Sequence, residues 1–179
     1  VCNEGTCKCP SGFHGVHCEL TGATDPCALV TCPTGHICDS GKCVCPDGYE
    51  GDSCQIYSRG KFLGNWMVFE KGTISSASQY PVSITAAGGA GNVSIHNFYN
   101  YFSTPIAATV HGDTILIPTQ VLEGKRVTGR GICRSSVTYG TYGQIEMRYQ
   151  VTDTGTNLIN DFGYDTVAYP GSTFSSWNK

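Results

Sequence analysis

The sequence predicts a small disulfide-rich segment followed by an all-β domain, an antiparallel up-and-down meander that closes into an eight-stranded barrel. Two observations predict this class. Ten of the eleven cysteines fall within the first 57 of the 179 residues. From Lys61 onward, short runs of alternating apolar and polar residues are separated by turn residues, with no useful stretch of helical period. A β-sandwich built from the same strands is the alternative.

The charge balance changes at the same point in the chain. Residues 1–57 carry two lysines and seven acidic residues, a net charge of −5, whereas residues 58–179 carry nine basic and seven acidic residues. Because the first segment has few aliphatic residues, only the second part can build a sizeable core. The overall charge of −3, without a basic cluster in the sequence, gives no indication of a nucleic-acid partner.

The cysteine density indicates an oxidising environment. A short segment that cannot fold by apolar burial needs paired thiols, so we expect an extracellular, cell-surface or periplasmic protein. Zinc is the other use of dense cysteines, but the Cys-x-Cys spacing followed by an eight-residue gap lacks the two Cys-x-x-Cys pairs of a zinc ribbon. The sequence therefore predicts neither a metal nor a cofactor.

One phrase occurs twice in the disulfide-rich segment. "CPSGFHGVHC" at residues 9–18 returns as "CPDGYEGDSC" at residues 45–54, and two further cysteines precede each copy at identical spacings. The second copy has two additional cysteines upstream, Cys27 and Cys32, which the first copy lacks. We therefore predict a partial module at residues 1–20, a complete module at residues 21–57 and the β domain at residues 58–179.

The cysteine order and the closing phrase Cys-Pro-x-Gly-aromatic-x-Gly-x-x-Cys resemble the epidermal growth factor-like module. From the six cysteines alone, many pairings are open. The resemblance implies that the first cysteine pairs with the third, the second with the fourth and the fifth with the sixth. The implied bonds are Cys27–Cys38, Cys32–Cys43, Cys45–Cys54 and, in the partial copy, Cys9–Cys18, which leaves Cys2 and Cys7 without partners in this sequence.

The β domain is predicted from alternation and from turn chemistry. In "QIEMRYQV", Ile145, Met147, Tyr149 and Val151 share one face of a strand, and polar residues occupy the other. Turn sequences such as "HGD" at Gly112 separate runs of this kind and make consecutive strands neighbours. The predicted strands are residues 62–70, 80–86, 92–98, 107–111, 114–118, 127–135, 144–151 and 164–169.

Two further resemblances concern the β domain. The opening "KFLGNWMV" resembles the Gly-x-Trp of lipocalin-like barrels, in which the tryptophan plugs one end. "KFLG" and Trp66, followed later by "TVHGDTILIPTQ", are together similar to secreted or surface lipoproteins of Bacteroidota that carry a growth factor-like module. The second resemblance implies a lipid anchor upstream and a location at the outer membrane or in the periplasm, but no reaction.

The β domain shows no catalytic motif. Neither Gly-x-Ser-x-Gly nor His-Glu-x-x-His occurs, and its few carboxylates, Glu70 among them, form no recognisable pair. Cys133 is expected to be unpaired and buried on the face of its strand opposite Arg130 and Arg134, without an adjacent histidine to act as a base. The two arginines are either a local basic spot or a solvated face. We therefore expect no enzymatic activity.

The segment "HNFYNYF" is the main candidate for a binding surface. It holds Phe98, Tyr99, Tyr101 and Phe102, and strand alternation can bury only half of these rings. Exposed rings stack on sugars and pack at protein interfaces, whereas buried ones would close one end of the barrel. Both interpretations stay open from the sequence.

Three positions are candidates for glycosylation. Asn92 begins the sequon Asn-Val-Ser, which is meaningful in a eukaryotic secretory route. Thr114 and Thr166 lie in "DTI" and "DTV", which resemble the short O-glycosylation sites of Bacteroidota.

These observations lead to one expected function and one alternative. We expect a non-enzymatic extracellular protein in which the growth factor-like modules act as a spacer for a β domain that binds a glycan or protein partner. The alternative is a lipocalin-like carrier of a small hydrophobic ligand, in which small residues at strand positions would leave a cavity. Those small residues are Ala86, Ala108, Gly129 and Gly131.

Overall fold

The computed structural model describes residues 26–179 in full. Of the residues before these, it describes the backbone of four short strands, which form two antiparallel pairs: Cys2–Asn3 with Thr6–Cys7, and Phe13–His14 with Leu20–Thr21. The predicted Cys9–Cys18 bond and the side chains of Cys2 and Cys7 lie outside the described residues. The chain divides into two compact units, one of Val1–Pro46 and Gly51–Gln55, the other of Asp47–Glu50 and Ile56–Lys179.

Three disulfides cross-link residues 27–54, most of which belong to the first unit. A hairpin of Ile37–Asp39 and Lys42–Val44 turns at Ser40 and Gly41, both with positive φ, which is the geometry of a tight two-residue turn. The Cα atoms of the bonded cysteines are 5.8, 5.4 and 5.2 Å apart. The bonds are Cys27–Cys38, Cys32–Cys43 and Cys45–Cys54, the pairs that the growth factor-like resemblance implies. They are compatible with a secreted or periplasmic protein.

The second unit contains a closed eight-stranded antiparallel barrel, so the predicted barrel, not the sandwich, is the fold. A short strand pair, Tyr49–Glu50 with Ile56–Tyr57, and a 3₁₀ turn, Ser58–Lys61, precede the barrel. A second 3₁₀ turn spans Phe98–Asn100. The barrel-domain strands are β1 (Gly64–Glu70), β2 (Ser78–Ala86), β3 (Asn92–His96), β4 (Ile106–His111), β5 (Thr114–Leu122), β6 (Lys125–Ser136), β7 (Gly140–Asp153), β8 (Ile159–Phe162) and β9 (Ser175–Asn178).

The last part of the barrel differs from the sequence prediction. Strands β1 to β7 pair in order, and β9 pairs with both β7 and β1 to close the barrel, while β8 pairs with the second half of β7. Residues 164–169 were expected to form the eighth strand, and this prediction is wrong. Their backbone turns instead, because the Asp165 carboxylate accepts the backbone N–H groups of Val167 and Ala168 at 3.2 and 3.0 Å.

Aromatic side chains fill both ends of the barrel. Trp66, near the start of β1, is buried, which fits the end-plugging tryptophan that the lipocalin-like resemblance implies. Its Nε1 donates to the Phe62 carbonyl at 2.7 Å. Where β7 ends, the Tyr149 ring stacks on Phe162 with centroids 4.3 Å apart and meets Phe98 edge to face at 4.7 Å. The predicted alternation along β7 is confirmed, since its four apolar residues are all buried.

A β-bulge in β5 explains part of the "IPTQ" motif. The register between β5 and β6 shifts between Ile117 and Gln120, and Pro118 has no N–H to donate to the neighbouring strand. The Gln120 amide takes the place of the missing ladder bonds. Its oxygen accepts the Ala107 N–H at 3.1 Å, and its nitrogen donates to the Ala107 carbonyl at 2.8 Å.

Glycines in β6 make room for large neighbours in β7. A Cβ atom at Gly129 would lie 2.5 Å from the Cβ of Tyr149, and one at Gly131 would lie 2.9 Å from the Met147 sulfur. Of the other small residues considered for a carrier cavity, Ala108 is packed in the core and Ala86 is exposed. The space left by the two glycines is therefore occupied by side chains.

Candidate functional site

The aromatic run divides between the core and the surface. Phe98 and Phe102 are buried and pack against each other with ring centroids 6.3 Å apart. Tyr99 is half-buried and meets Phe162 edge to face, and Tyr101 is 49% exposed. Phe98 and Phe102 therefore close one end of the barrel, as the interpretation with buried rings has it. Tyr101 is exposed to solvent, as the interpretation with a surface ring has it.

The backbone that carries these rings is strained. Asn97, Tyr99 and Asn100 have φ values of 57°, 60° and 48°, in the left-handed region that asparagine adopts readily but a bulky residue such as tyrosine rarely adopts. The Asn97 side chain donates to the Pro81 carbonyl at 2.7 Å. Such backbone persists only where surrounding contacts hold it, and it occurs preferentially in functional segments.

Asn160 connects three segments at this end of the barrel. Its amide nitrogen donates to the Tyr99 hydroxyl at 3.0 Å and to the Ser75 hydroxyl at 2.9 Å, and its oxygen accepts the Ile74 N–H at 3.1 Å. The side chain is buried, and Gly72 passes so close to it that a Cβ there would lie 2.0 Å from the Asn160 oxygen. The Tyr99 turn is thereby fixed against β8 and the loop that follows β1.

The Tyr101 ring is held by the turn between β5 and β6. Its hydroxyl donates to the Glu123 carbonyl at 3.2 Å, and the Lys125 ammonium lies 4.7 Å from its centroid. The Glu123 carboxylate accepts the backbone N–H groups of Thr104 and Ser103 at 2.7 and 3.2 Å, and these bonds lower its pKa to about 2. We call Tyr99, Tyr101, Glu123 and Lys125 the tyrosine surface.

A buried carboxylate lies inside the barrel near the same end. Glu70 accepts hydrogen bonds from the hydroxyls of Tyr80 at 2.5 Å, Tyr149 at 2.8 Å and Ser175 at 2.5 Å. Burial raises the pKa of Glu70, although the three hydroxyls partly oppose the shift. Trp177 completes the network by donating to the Ser175 hydroxyl at 2.9 Å. Each carboxylate oxygen is occupied by buried partners, so this network has the character of a structural core element.

The cysteines contribute no reactive group among the described residues. Cys133 is unpaired and buried, as the sequence predicts, and burial raises its thiol pKa to about 11. His36 lies near the sulfurs of Cys45 and Cys54, a grouping that could suggest a metal site. Those two sulfurs are bonded to each other, however, and are not thiolate ligands.

The candidate glycosylation residues differ in their surroundings. Asn92 is exposed at the start of β3, and its amide nitrogen donates to the Gly88 carbonyl. Thr114 begins β5 and pairs with His111 on one side and Ile132 on the other. Thr166 is exposed in the turn that Asp165 caps. The glycosylation of these residues stays a prediction.

Sequence reasoning missed the residues that hold the tyrosine surface in place. Glu123 and Asn160 are distant in sequence from the aromatic run, and no local pattern connects them to it. The one available signal was "EGK", which predicts the turn where Glu123 and Gly124 have positive φ.

Comparison with models of known protein families gives no match, and comparison with curated proteins gives none either. The resemblance to lipoproteins of Bacteroidota therefore stays a prediction, whereas the three disulfides and the barrel fit a growth factor-like module followed by a β domain. No helix among residues 26–179 is long and apolar enough to cross a membrane.

Proposed function

We propose that this chain is a non-enzymatic extracellular or cell-surface protein whose β barrel binds a glycan or protein partner through the tyrosine surface, with the growth factor-like modules as its spacer. The observation that carries the proposal is the half-exposed Tyr101 ring, displayed beside a strained turn at one end of the barrel. Tyrosine supplies a large contact area with few rotatable bonds, which suits it to binding surfaces.

The contacts around Tyr101 support a preorganised surface. Its hydroxyl and its ring each have a partner in the β5–β6 turn, so binding would immobilise little additional side chain. Lys125 is in turn bound to Asp153 at 3.3 Å, which fixes the cation near the ring. A ring held in this way loses less entropy on binding than a free one.

The strained turn supports the same conclusion. A tyrosine in the left-handed region costs about 1–3 kcal/mol, whereas the asparagines on either side of Tyr99 adopt that region readily. The Asn97–Pro81 and Asn160–Tyr99 hydrogen bonds offset part of that cost. A barrel end could be closed by Phe98 and Phe102 without this geometry, so we attribute the strain to the display of Tyr99 and Tyr101.

Two observations support a binding role over the other classes considered. Two groups of types that act as a catalytic acid or nucleophile, Glu70 and Cys133, are both buried, and Glu70 is hydrogen-bonded to three hydroxyls. The glycines on which a carrier cavity would depend face Tyr149 and Met147.

The location is part of the proposal. The disulfide-rich segment favours an oxidising compartment, and the resemblance to surface lipoproteins implies an anchor upstream of the growth factor-like modules. On this proposal the modules hold the barrel away from a membrane surface.

The experiment is a comparison of binding by the oxidised full chain and its Tyr101→Ala variant. A glycan array and a cross-linking capture from the surface of the producing cell would separate a sugar partner from a protein partner. Tyr101→Ala should weaken binding by about tenfold or more, as expected for an aromatic anchor.

Tyr139→Ala is the matched control. Tyr139 is 40% exposed and lies in the hairpin between β6 and β7, at the opposite end of those strands. The control should bind like the wild type, and circular dichroism should show both variants folded. Equal losses in the two variants, or unchanged binding by folded Tyr101→Ala, would contradict the proposal.

A further inference from the structure

Two arginines lie directly opposite each other on the outer wall of the barrel. Arg130 of β6 pairs in register with Arg148 of β7, so both side chains leave the same face of the sheet. Directly opposite residues of antiparallel strands have Cβ atoms about 4.5–5.5 Å apart, and like-charged side chains in such a pair destabilise the pairing. The arrangement costs stability unless an anion neutralises it.

One carboxylate, Glu146 of β7, lines the same groove as the two arginines, but it is already paired with Arg134, with Nε and Oε2 3.1 Å apart. Among the described residues, no carboxylate forms an ion pair with Arg130 or Arg148. Arg148 donates to the Gly163 carbonyl at 3.1 Å and lies 5.5 Å from the Phe174 centroid. Within residues 26–179, the Arg130 side chain makes no hydrogen bond or ion pair.

Arg130 and Arg148 line an open groove of about 340 Å³. Its other walls include Thr114, Ile132, which is 40% exposed, and Glu146, whose carboxylate is paired with Arg134. The chain as a whole has a net charge of −3, so the local excess of arginine is not a consequence of a generally basic protein. A groove with paired cations and an apolar flank suits a ligand that has both an anionic group and an apolar face.

We propose that this groove binds a carboxylate or sulfate group of an acidic glycan. The planar guanidinium presents paired N–H donors that match the oxygens of either anion. A sugar ring that carries the anion could pack against Ile132. An acidic peptide is less suited, because the closed barrel offers no free strand edge here for an extended peptide to join. This site is separate from the tyrosine surface and goes beyond the function proposed for it.

The first test measures binding of a labelled oligogalacturonate, with a neutral galactose oligomer of equal length and a sulfated oligomer as comparisons. The wild type should bind the two acidic oligomers and not the neutral one, and the affinity should fall as salt is added. Competition by sodium acetate and sodium sulfate distinguishes recognition of the anion alone from recognition of the glycan that carries it. Displacement at concentrations equal to those of the oligomer would overturn the glycan assignment.

Arg130→Gln is the informative variant, and Arg126→Gln is its matched control. Both arginines are exposed on the outward face of β6, but Arg126 does not line the groove. Arg130→Gln should weaken oligogalacturonate binding by about tenfold or more, the loss expected for one charge-assisted hydrogen-bonded contact, and Arg126→Gln should stay within about twofold. Equal effects of the two substitutions, or equal binding of the neutral oligomer, would overturn the proposal.

A second test needs no ligand and uses thermal melting at low and high salt. If no anion neutralises Arg130, Arg130→Gln should have a higher Tm at low salt than Arg126→Gln, because it removes the repulsion between Arg130 and Arg148. The difference between the two Tm values should become smaller as added salt screens that repulsion. A lower Tm for Arg130→Gln alone would show that Arg130 is already neutralised, which overturns the proposal. A loss of oligogalacturonate binding in Arg130→Gln but not in Arg126→Gln assigns the binding to the groove, so failure at the tyrosine surface and failure here are distinguishable.

Discussion

Glu70 provides the most direct test of how the barrel core is held together. Its carboxylate accepts hydrogen bonds from Tyr80, Tyr149 and Ser175, and all four residues are buried. Glu70→Ala removes the acceptor and leaves three buried hydroxyls without a partner. At about 1 kcal/mol for each, the free energy of unfolding should fall by about 3 kcal/mol or more, because a cavity adds to the loss. Glu70→Gln keeps one oxygen and the shape, so it should cost about 1 kcal/mol at neutral pH.

The pH dependence of this effect follows from the direction of the Glu70 pKa shift. Burial raises its folded-state pKa above the ordinary 4.5, so the folded protein binds the proton more tightly than the unfolded chain does. The resulting stability is fully present below about pH 4.5 and is lost as the pH rises through the raised pKa. Glu70→Gln cannot titrate, so the advantage of the wild type over this variant should grow as the pH falls from neutral.

Other carboxylates make the protein less stable as the pH falls, but their contributions are the same in the wild type and in Glu70→Gln and cancel in the difference. Hydrogen bonds, first of all those from backbone N–H groups, lower the pKa of Glu123 and Asp153 to about 2, so their contribution is lost only as the pH falls towards that value. Both groups are identical in the two proteins. The difference between wild type and Glu70→Gln therefore isolates Glu70.

Guanidinium unfolding followed by tryptophan fluorescence would measure these free energies, since Trp66 and Trp177 are both buried in the barrel. The disulfides must stay oxidised throughout. Gln79→Ala, at an exposed and uncharged position of β2, is the control and should show no growth of its effect on acidification. A pH-independent difference for Glu70→Gln, or a loss well below 1 kcal/mol for Glu70→Ala, would refute the reasoning.

Two further predictions concern other buried or unusual groups. Cys133, with its pKa raised to about 11, should resist iodoacetamide in the folded protein and react after denaturation, as peptide mass mapping would show; equal labelling rates in the two states would contradict its burial. Gln120→Ala should lower the free energy of unfolding by about 1–2 kcal/mol, because both Ala107 backbone groups lose their partner. Gln79→Ala, at an exposed position of β2, is the control. An equal loss of unfolding free energy in both variants would contradict the role of Gln120 in bonding the Ala107 backbone at the bulge.

Local patterns were sufficient to predict most of the barrel. Most strands of β1 to β7 have alternating apolar residues, and the turns after β2, β4 and β5 contain glycine with asparagine, aspartate or glutamate. Both signals are local, since side chains alternate across a strand and glycine accepts positive φ without cost. The strand predicted for residues 92–98 ends two residues early, at His96, because the chain turns at residues 97–100 through left-handed conformations.

The closing strand could not be predicted from local pattern. "SSWN" has one large apolar residue, Trp177, and would be an unconvincing strand by composition. It becomes a strand because the facing edges of β1 and β7 have backbone N–H and C=O groups that need partners, and β9 pairs with both strands. Residues 164–169 have a better strand composition but are held in a turn by Asp165, so tertiary pairing overrode propensity.

The sequence by itself determined that this protein has a disulfide-rich part and an antiparallel β part, because cysteine spacing and period-two alternation are properties of short segments. Only the tertiary structure decided which groups face each other: Glu70 with three hydroxyls, Tyr101 with Glu123 and Lys125, and Arg130 with Arg148. These juxtapositions depend on strand register and barrel closure, which join residues far apart in the chain. A register slip of one residue would send each of these strand side chains to the other face, so no local pattern can specify them.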